Sequence, residues 1–489
     1  MPIDTVTKSA GKPPKADQTA IRMIPFIVGC ALFMQMLDAT VVATALPVMA
    51  ESLHTTAVKM NVAITSYLLA LAVFVPISGW AADRFGARRV FIAAIVLFAA
   101  SSVGCASSHD LLQLVIARVV QGIAGAMMVP VGRVIMLRIT PKDQLLKAMS
   151  FLSMPALLGP IIGPPLGGFL VTYASWHWIF LINVPVGILG IALILRFIQH
   201  DEPEAPNKLD WPGFLLSGIS LAALVSGFEA IGRSDVSRQN VALLLGTGLV
   251  CGLLYIWHAR RAAHPIIDLT LLRTQTFAIS ILGGNLCRFS VGATPFLLAL
   301  LLQVGFGMTP FAAGMITFTS AAGALFMKVI VTYVIGRFGF KPILTYNALI
   351  TGLFVVFCGF FHADTPIWLM VAVLFLGGTF RSLQFTAVNT LTYADLTPAD
   401  MSRASSFAAM AQQLGISLGV GCAALILNLS ITWRGAAHLE RVDVMWGFFI
   451  IGLLAMLAAL SFARLPANTA EHLNRDRKKH HARNSGLRP

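Results

Sequence analysis

Runs of about twenty apolar residues succeed one another along this chain, parted by short polar segments. The apolar windows lie near 23–47, 59–80, 88–106, 110–134, 147–171, 176–198, 211–231, 240–258, 274–299, 310–334, 341–361, 366–393, 404–428 and 443–465. A helix needs about 20 residues to cross the roughly 30 Å hydrocarbon layer of a bilayer. The pattern therefore predicts an all-α polytopic membrane protein with 14 transmembrane helices. Composition points the same way, with 57% of the 489 residues apolar, 11% charged and a mean hydropathy of +0.80. No soluble core hides that much apolar surface, so the lipid bilayer is the expected solvent for most side chains.

Charge adds an orientation. Basic residues resist translocation, and acidic ones matter little. With both termini cytoplasmic, the outer loops hold only Lys59, Arg233, Arg238, Arg434 and Arg441, and four more cations, Arg118, Arg288, Lys328 and Arg381, lie inside spans. The remaining 26 of the 35 Lys plus Arg then face the cytoplasm. The net charge of +14 is on this reading mostly topology, and no nucleic-acid partner is expected. All eight tryptophans fall near predicted span ends, where an amphipathic ring favours the headgroup zone. The polar arm at 1–22 precedes a first apolar run too long for a cleavable signal, and the basic tail at 466–489 reads as a solvated topology anchor. Six scattered cysteines suggest neither a disulfide framework nor a metal site.

The chain also repeats itself. Arg84-Phe85-Gly86 after helix 2 is echoed by Arg337-Phe338-Gly339 after helix 10, and Arg118-x-x-Gln121 in helix 4 by Arg381-x-x-Gln384 in helix 12. If helices 7 and 8 are an insertion, two six-helix bundles are related as a parallel repeat. Proline-bearing polar segments at 200–213 and 258–277 bracket that insertion. The expected organisation is an N-terminal bundle at 23–200, a linker with two extra helices at 201–273, and a C-terminal bundle at 274–465.

Four ordered motifs carry a resemblance: LDATVVATALP (37–47), GWAADRFGARR (79–89), LVIARVVQGIAGA (114–126) and GPIIGPPLGG (159–168). Together they resemble the major facilitator superfamily, and specifically its fourteen-helix drug:proton antiporter branch, the EmrB/QacA type. The likeness extends over nearly the whole chain, through WHWIFLINVPVG (176–187), LDWPG (209–213) and LLQVGFGMTPFAAG (301–314). It implies the major facilitator fold and a proton-driven exporter of lipophilic small molecules in the inner membrane. A periplasmic adaptor and an outer-membrane channel are candidate partners. In the resembling family the loop acid engages the opposite bundle near a helix N-terminus, the helix 4 motif takes part in proton coupling, and the helix 5 motif seals one side of the pathway. The second loop copy has Gly336 where the first has Asp83, so an acid clasp is expected in one half only.

Asp38 is the one carboxylate placed deep within a span. Burial there favours the protonated acid and a nearby cation favours the carboxylate, so a change of surroundings can switch protonation. A fixed buried ion pair is the other reading. Gln35 shares its helix face and suggests a polar stripe toward a central cavity. Arg118, Gln121, Gly122 and Gly125 line one face of helix 4. Arginine does not practically deprotonate, so Arg118 is expected to bias Asp38 and not to carry the proton. Gly159, Gly163 and Gly167 form a small-residue groove, and Pro160 and Pro164 permit bending. With Gly79, Asp83, Arg84, Gly86, Arg88, Arg89 and Gly168 these are the expected gating residues. Gln35, Gln121, Asn285, Arg288, Phe289, Arg381 and Gln384 are the expected substrate cavity, and Lys328 lies close enough to the inner boundary to snorkel. An excess of cations over acids within the spans favours neutral or weakly acidic guests over cationic dyes.

No phosphate-loop motif occurs, which leaves an ion gradient as the expected drive and no cofactor. One proton crossing about 100 mV and one pH unit releases about 3.7 kcal/mol, enough for a roughly 500-fold gradient. No nucleophile–base pair, paired acids or metal cluster suggests catalysis. A symporter for a small organic anion or nutrient, and a non-transporting sensor, are the alternatives.

Overall fold

A computed structural model of the protein describes residues 18–55, 60, 62–199, 208–231, 236–435, 439–466 and 469, and the described chain contains helices and no strands. The first seventeen residues, Lys59, Arg233, most of the basic tail and the side chains of Pro160, Pro164 and Glu229 lie outside the described residues.

The N-terminal half comprises α1 (Gln18–Ser52), α2 (Val62–Phe74), α3 (Ile77–Phe85), α4 (Ala87–Ala106), α5 (Leu111–Ile139), α6 (Leu145–Tyr173), α7 (His177–Leu181) and α8 (Asn183–Phe197). The inserted pair is α9 (Trp211–Ala230) and α10 (Arg238–Ala259). The C-terminal half comprises α11 (Gln275–Ala299), α12 (Pro310–Phe338), α13 (Phe340–Gly359), α14 (Ile367–Ala394), α15 (Met401–Arg434) and α16 (Arg441–Ala463). Among the described residues twelve helices are long and apolar enough to cross a membrane, and the bent pair α2–α3 makes a thirteenth. The fourteenth expected span falls on α6, whose 29 residues extend about 44 Å. The protein is a multi-pass membrane protein.

Helix 2 departs from the expected single span. Pro76 lacks the amide hydrogen that would continue the ladder, and α2 and α3 meet there at 61°. The expected repeat is real at the loops: Gly86 and Gly339 each end one helix and begin the next with φ of 85° and 82°. Any residue with a Cβ is strained there. Gly86→Ala and Gly339→Ala are each expected to cost about 1–2 kcal/mol, visible as lowered thermal unfolding midpoints. The packing repeats as well. In the N-terminal half α1 packs on α6 and α2 on α5; in the C-terminal half α11 packs on α15 and α12 on α14. These crossings bring backbones together over glycine, Gly122 against Tyr67 in one half and Gly378 against Ser320 in the other.

The Arg-x-x-Gln echo, by contrast, is not a structural equivalence. Arg118 is the eighth residue of α5 and Arg381 the fifteenth of α14, a displacement of about 10 Å along the axis at 1.5 Å per residue.

The halves meet at the end of the bundle that carries Arg84, Arg88 and Arg89, here termed the basic end. Among the described residues, side-chain hydrogen bonds between halves cluster there: Ser78 with Ser406 (2.8 Å), Ser402 to Asp83 (2.5 Å), Arg138 to Ser402 (3.1 Å), Arg133 to Tyr393 (3.1 Å), Ser405 to the Pro130 carbonyl (2.9 Å) and Ser150 to the Lys328 carbonyl (3.1 Å). Helix α9 bridges the halves from outside, packing on α2 through Gly218 at Val73 and on α15 through Phe228 at Gly421. Helix α10 packs on α9 and leaves most of its surface outward.

Candidate proton-coupling and substrate sites

In the N-terminal half, Asp38 of α1 and Arg118 of α5 form a completely buried ion pair at 2.5 Å. Polar neighbours surround the pair with hydrogen bonds, although one terminal nitrogen of Arg118 and the nearby Tyr67 hydroxyl have no partner among the described residues. Gln121 donates to Asp38 Oδ1 (3.0 Å) and to Ser102 (2.8 Å), and accepts from Arg118 (2.6 Å). Asn183, the first residue of α8, donates to the same Asp38 Oδ1 (3.2 Å) and to Ser102 (3.3 Å). Arg118 Nε reaches the Ala63 carbonyl, and its guanidinium lies 4.4 Å from the Tyr67 ring centroid. Helices α5 and α8 thus converge on the one carboxylate of α1, with Ser102 of α4 holding the two amides, which is how a charge tolerates such burial.

The location differs from the expected polar stripe. Asp38 and Gln121 point into the core of their own half, where Gln121 is fully buried, and not toward a cavity between halves. Gln35 is buried too, beside Gly125 and Tyr67. The reason is Arg118: its stem enters from α5 and draws the carboxylate away from the interface.

The glycine groove of α6 holds the same stretch of α1. A Cβ on Gly159 would lie 2.7 Å from that of Met36, and one on Gly163 would collide with the Thr40 hydroxyl, which itself points to the Gly159 carbonyl at 3.4 Å. Gly167 is buried, and a side chain on exposed Gly168 would meet open space. Helix α6 therefore touches the Asp38 segment on one side and α12 and α14 of the other half on the other.

At the basic end Asp83 is gripped by Ser402 (2.5 Å), in the first turn of α15, and by Arg138 (3.0 Å). A carboxylate is favoured at a helix N-terminus. Gly79 lets the helices close: a Cβ there would stand 2.7 Å from both the Ser402 carbonyl and the Ser406 hydroxyl. Arg88 is half-buried and donates to the Leu195 carbonyl (3.3 Å), whereas Arg84 and Arg89 are exposed.

The C-terminal half holds three cations, Arg288 and Lys328 buried and Arg381 half-buried, with no carboxylate partner among the described residues. Arg288 of α11 donates to Asn285 (3.3 Å) and Asn389 (3.2 Å), and its Nε has no partner. Arg381 of α14 donates to Ser320 (2.8 Å). Lys328 of α12 turns inward to Thr386 (2.5 Å) and does not snorkel, because the bundle offers a hydroxyl where the boundary would offer water. A void of about 20 Å³, room for one water, lies between Arg288, Arg381 and Gln384. Gln384 accepts from Asn347 (2.8 Å) and Phe289 is half-buried at the α11–α15 crossing.

A fourth cation was assigned by the sequence to the cytoplasmic side. Arg133 is buried, because α5 continues to Ile139, well past the expected end at 134. It bonds Tyr393 across the interface and repels Arg288 electrostatically. Asp443, fully buried at the start of α16 and paired with Arg434 at 2.6 Å, was likewise not anticipated. Asn183 stood in a quoted motif but showed no charge to draw notice.

Two repeated helical halves clasped at one end around buried charges define a transporter scaffold, and the chain belongs to the Major Facilitator Superfamily, whose family profile matches residues 28–284 and 280–488. It is 40% identical over 473 residues to a Cronobacter sakazakii protein named multidrug resistance protein MdtD, covering 94% of this chain and 98% of that one. A Klebsiella pneumoniae protein of the same name is 41% identical over 451 residues, covering 91% and 95%. Among solved structures, the human organic anion transporter MFSD10 superposes with a TM-score of 0.64 at 16% identity, covering 92% of this chain and 100% of that one. The proton:xylose symporter XylE gives 0.62 at 16% identity, covering 93% and 97%. These two likenesses concern the fold.

Proposed function

We propose that this protein is a proton-coupled secondary transporter that exports lipophilic small molecules, neutral or weakly acidic in preference to cationic, with no covalent chemistry and no cofactor beyond the proton gradient. The observation that carries the reading is the arrangement of two repeated halves joined at one end by small residues and a few hydrogen bonds, with one proton-accepting pair in the first half and unpaired cations in the second. Export of drugs follows from the names of the relatives, which match nearly the whole chain. By the charge rule the basic end is cytoplasmic and the membrane is the inner one, so this form is closed toward the cytoplasm.

A proton arriving at Asp38 removes one charge of the buried pair, while Gln121 and Asn183 continue to hold the side chain. The Asp38 segment lies in the α6 groove, and α6 touches the other half. A shift of α1 is therefore passed to the interface as a rigid-body rocking of the halves. Arg288, Arg381 and Arg133 would favour a guest that brings negative charge or none. A periplasmic adaptor and outer-membrane channel would extend export beyond the inner membrane.

The test is substrate-induced proton flux in liposomes holding a pH-sensitive dye. Lipophilic acids and neutral amphiphiles are expected to drive flux in the wild type, and Arg288→Gln or Arg381→Gln to lower the response to acids more than to neutral compounds. Quaternary ammonium ions as the best substrates, with organic acids inert, would refute the charge preference. Flux in the symport direction would favour the uptake alternative.

A further inference from the structure

A cavity lies at the basic end, beside the Asp83 clasp and away from the buried Asp38–Arg118 pair. It measures about 620 Å³ and sits where three parts of the chain meet: α3 of the N-terminal half, the segments that flank the inserted pair, and the start of α15. Its acids are already engaged. Asp210 accepts from His258 (2.7 Å) and the Ile266 amide (3.3 Å), Asp268 pairs with Arg403 (2.5 Å), and Asp83 belongs to the clasp. Its other cations are not: Arg84, Lys208, Arg260 and Arg273 line it, exposed and with no carboxylate partner among the described residues. Four positive charges from three separate segments therefore face one hollow.

The depth of the hollow indicates its occupant. Trp80 lines it, and Trp211 and Trp257 mark the ends of the inserted helices beside it, Trp257 with Arg261 at 4.0 Å from its ring centroid. Tryptophan settles at headgroup level, and basic pockets between helices at the cytoplasmic face suit phosphate headgroups. One wall is pinned: the Tyr255 hydroxyl both accepts from the Ile267 amide and donates to its carbonyl, each at 2.8 Å, fixing the segment that carries Arg260 and leads to Arg273.

We propose that this cavity binds a phosphate anion, supplied in the membrane by the headgroup of an anionic phospholipid. An occupant would tie the inserted pair to both halves beside the Asp83 clasp and so favour the form closed at the basic end. This gives α9 and α10 a role that does not depend on the identity of the exported compound.

The full-length protein in detergent is titrated with phosphatidylglycerol, with phosphatidylcholine and with inorganic phosphate, adducts being read by native mass spectrometry. Phosphatidylglycerol is expected to bind in preference to phosphatidylcholine, and Lys208→Gln and Arg260→Gln each to weaken it about five-fold. Arg337→Gln, on an equally basic loop away from the cavity, is expected to change nothing, and unfolding midpoints verify that all variants fold. Inorganic phosphate binding with the same dependence on Lys208 and Arg260, without phosphatidylglycerol binding, would uphold the anion site and reassign its source to a soluble phosphate. Anion binding indifferent to both substitutions would overturn the proposal.

Discussion

Replacing Arg118 with methionine while Asp38 remains is expected to destabilise the protein by about 3–5 kcal/mol, because it strands a carboxylate with no access to water. The pair is fully buried, and among its neighbours only Gln121 and Asn183 donate to the acid, both as neutral amides. Asp38→Asn keeps the shape of the site and the arginine's bonds to Gln121 and the Ala63 carbonyl, but it leaves a buried guanidinium that cannot deprotonate without its counter-ion, so it is expected to lower stability as well. It is expected to leave a folded protein whose substrate-induced proton flux is abolished. The double variant Asp38→Asn with Arg118→Met should recover part of the stability lost by Arg118→Met alone and none of the flux. Thermal unfolding in detergent and dye-loaded liposomes separate the two effects. Flux persisting in folded Asp38→Asn would reduce the pair to a structural element of the N-terminal half.

Locking the basic end is expected to arrest transport as completely, with no loss of stability. The hydroxyls of Ser78 and Ser406 approach to 2.8 Å across the interface, both buried. Ser78→Cys with Ser406→Cys should therefore cross-link under mild oxidation, stop flux, and release it on reduction. Gly79→Val tests the same contact from the opposite side, because its side chain would collide with the Ser402 carbonyl and the Ser406 hydroxyl. The packing of α1 on α6 and of α11 on α15 lies within the halves and away from Gly79, so the variant is expected to reach the membrane intact, to fail to close at the basic end, and to lose cross-linking when introduced into the cysteine pair. A cross-linked protein that still transports would mean that the halves do not separate there during the cycle.

The spans were legible because lipid imposes a single demand, an unbroken apolar helix that satisfies its own backbone. The loop echo was legible for a related reason: a chain that reverses within one residue needs a positive φ, and glycine at 86 and 339 records that need in the sequence. The Arg-x-x-Gln echo misled because four residues do not fix depth; depth depends on where each helix begins, and α5 and α14 begin at different distances from their arginines. The bend at Pro76 was announced by its residue type, but the 61° angle depends on what packs around it.

The sequence by itself determined the class of protein, the number of spans to within one, the side on which positive charge collects, and the identity of Asp38 and Arg118 as residues that hydrocarbon would not tolerate without a partner. Those properties follow from the solvent and from single residue types. The tertiary structure alone decided that the two are partners, that Gln121 and Asn183 complete their shell inside one half, that Lys328 turns inward and Arg133 is buried, and that the inserted helices frame a basic hollow with both halves. Each of these depends on residues tens to hundreds of positions apart meeting in space, and neither hydropathy nor local spacing encodes which faces of which helices meet.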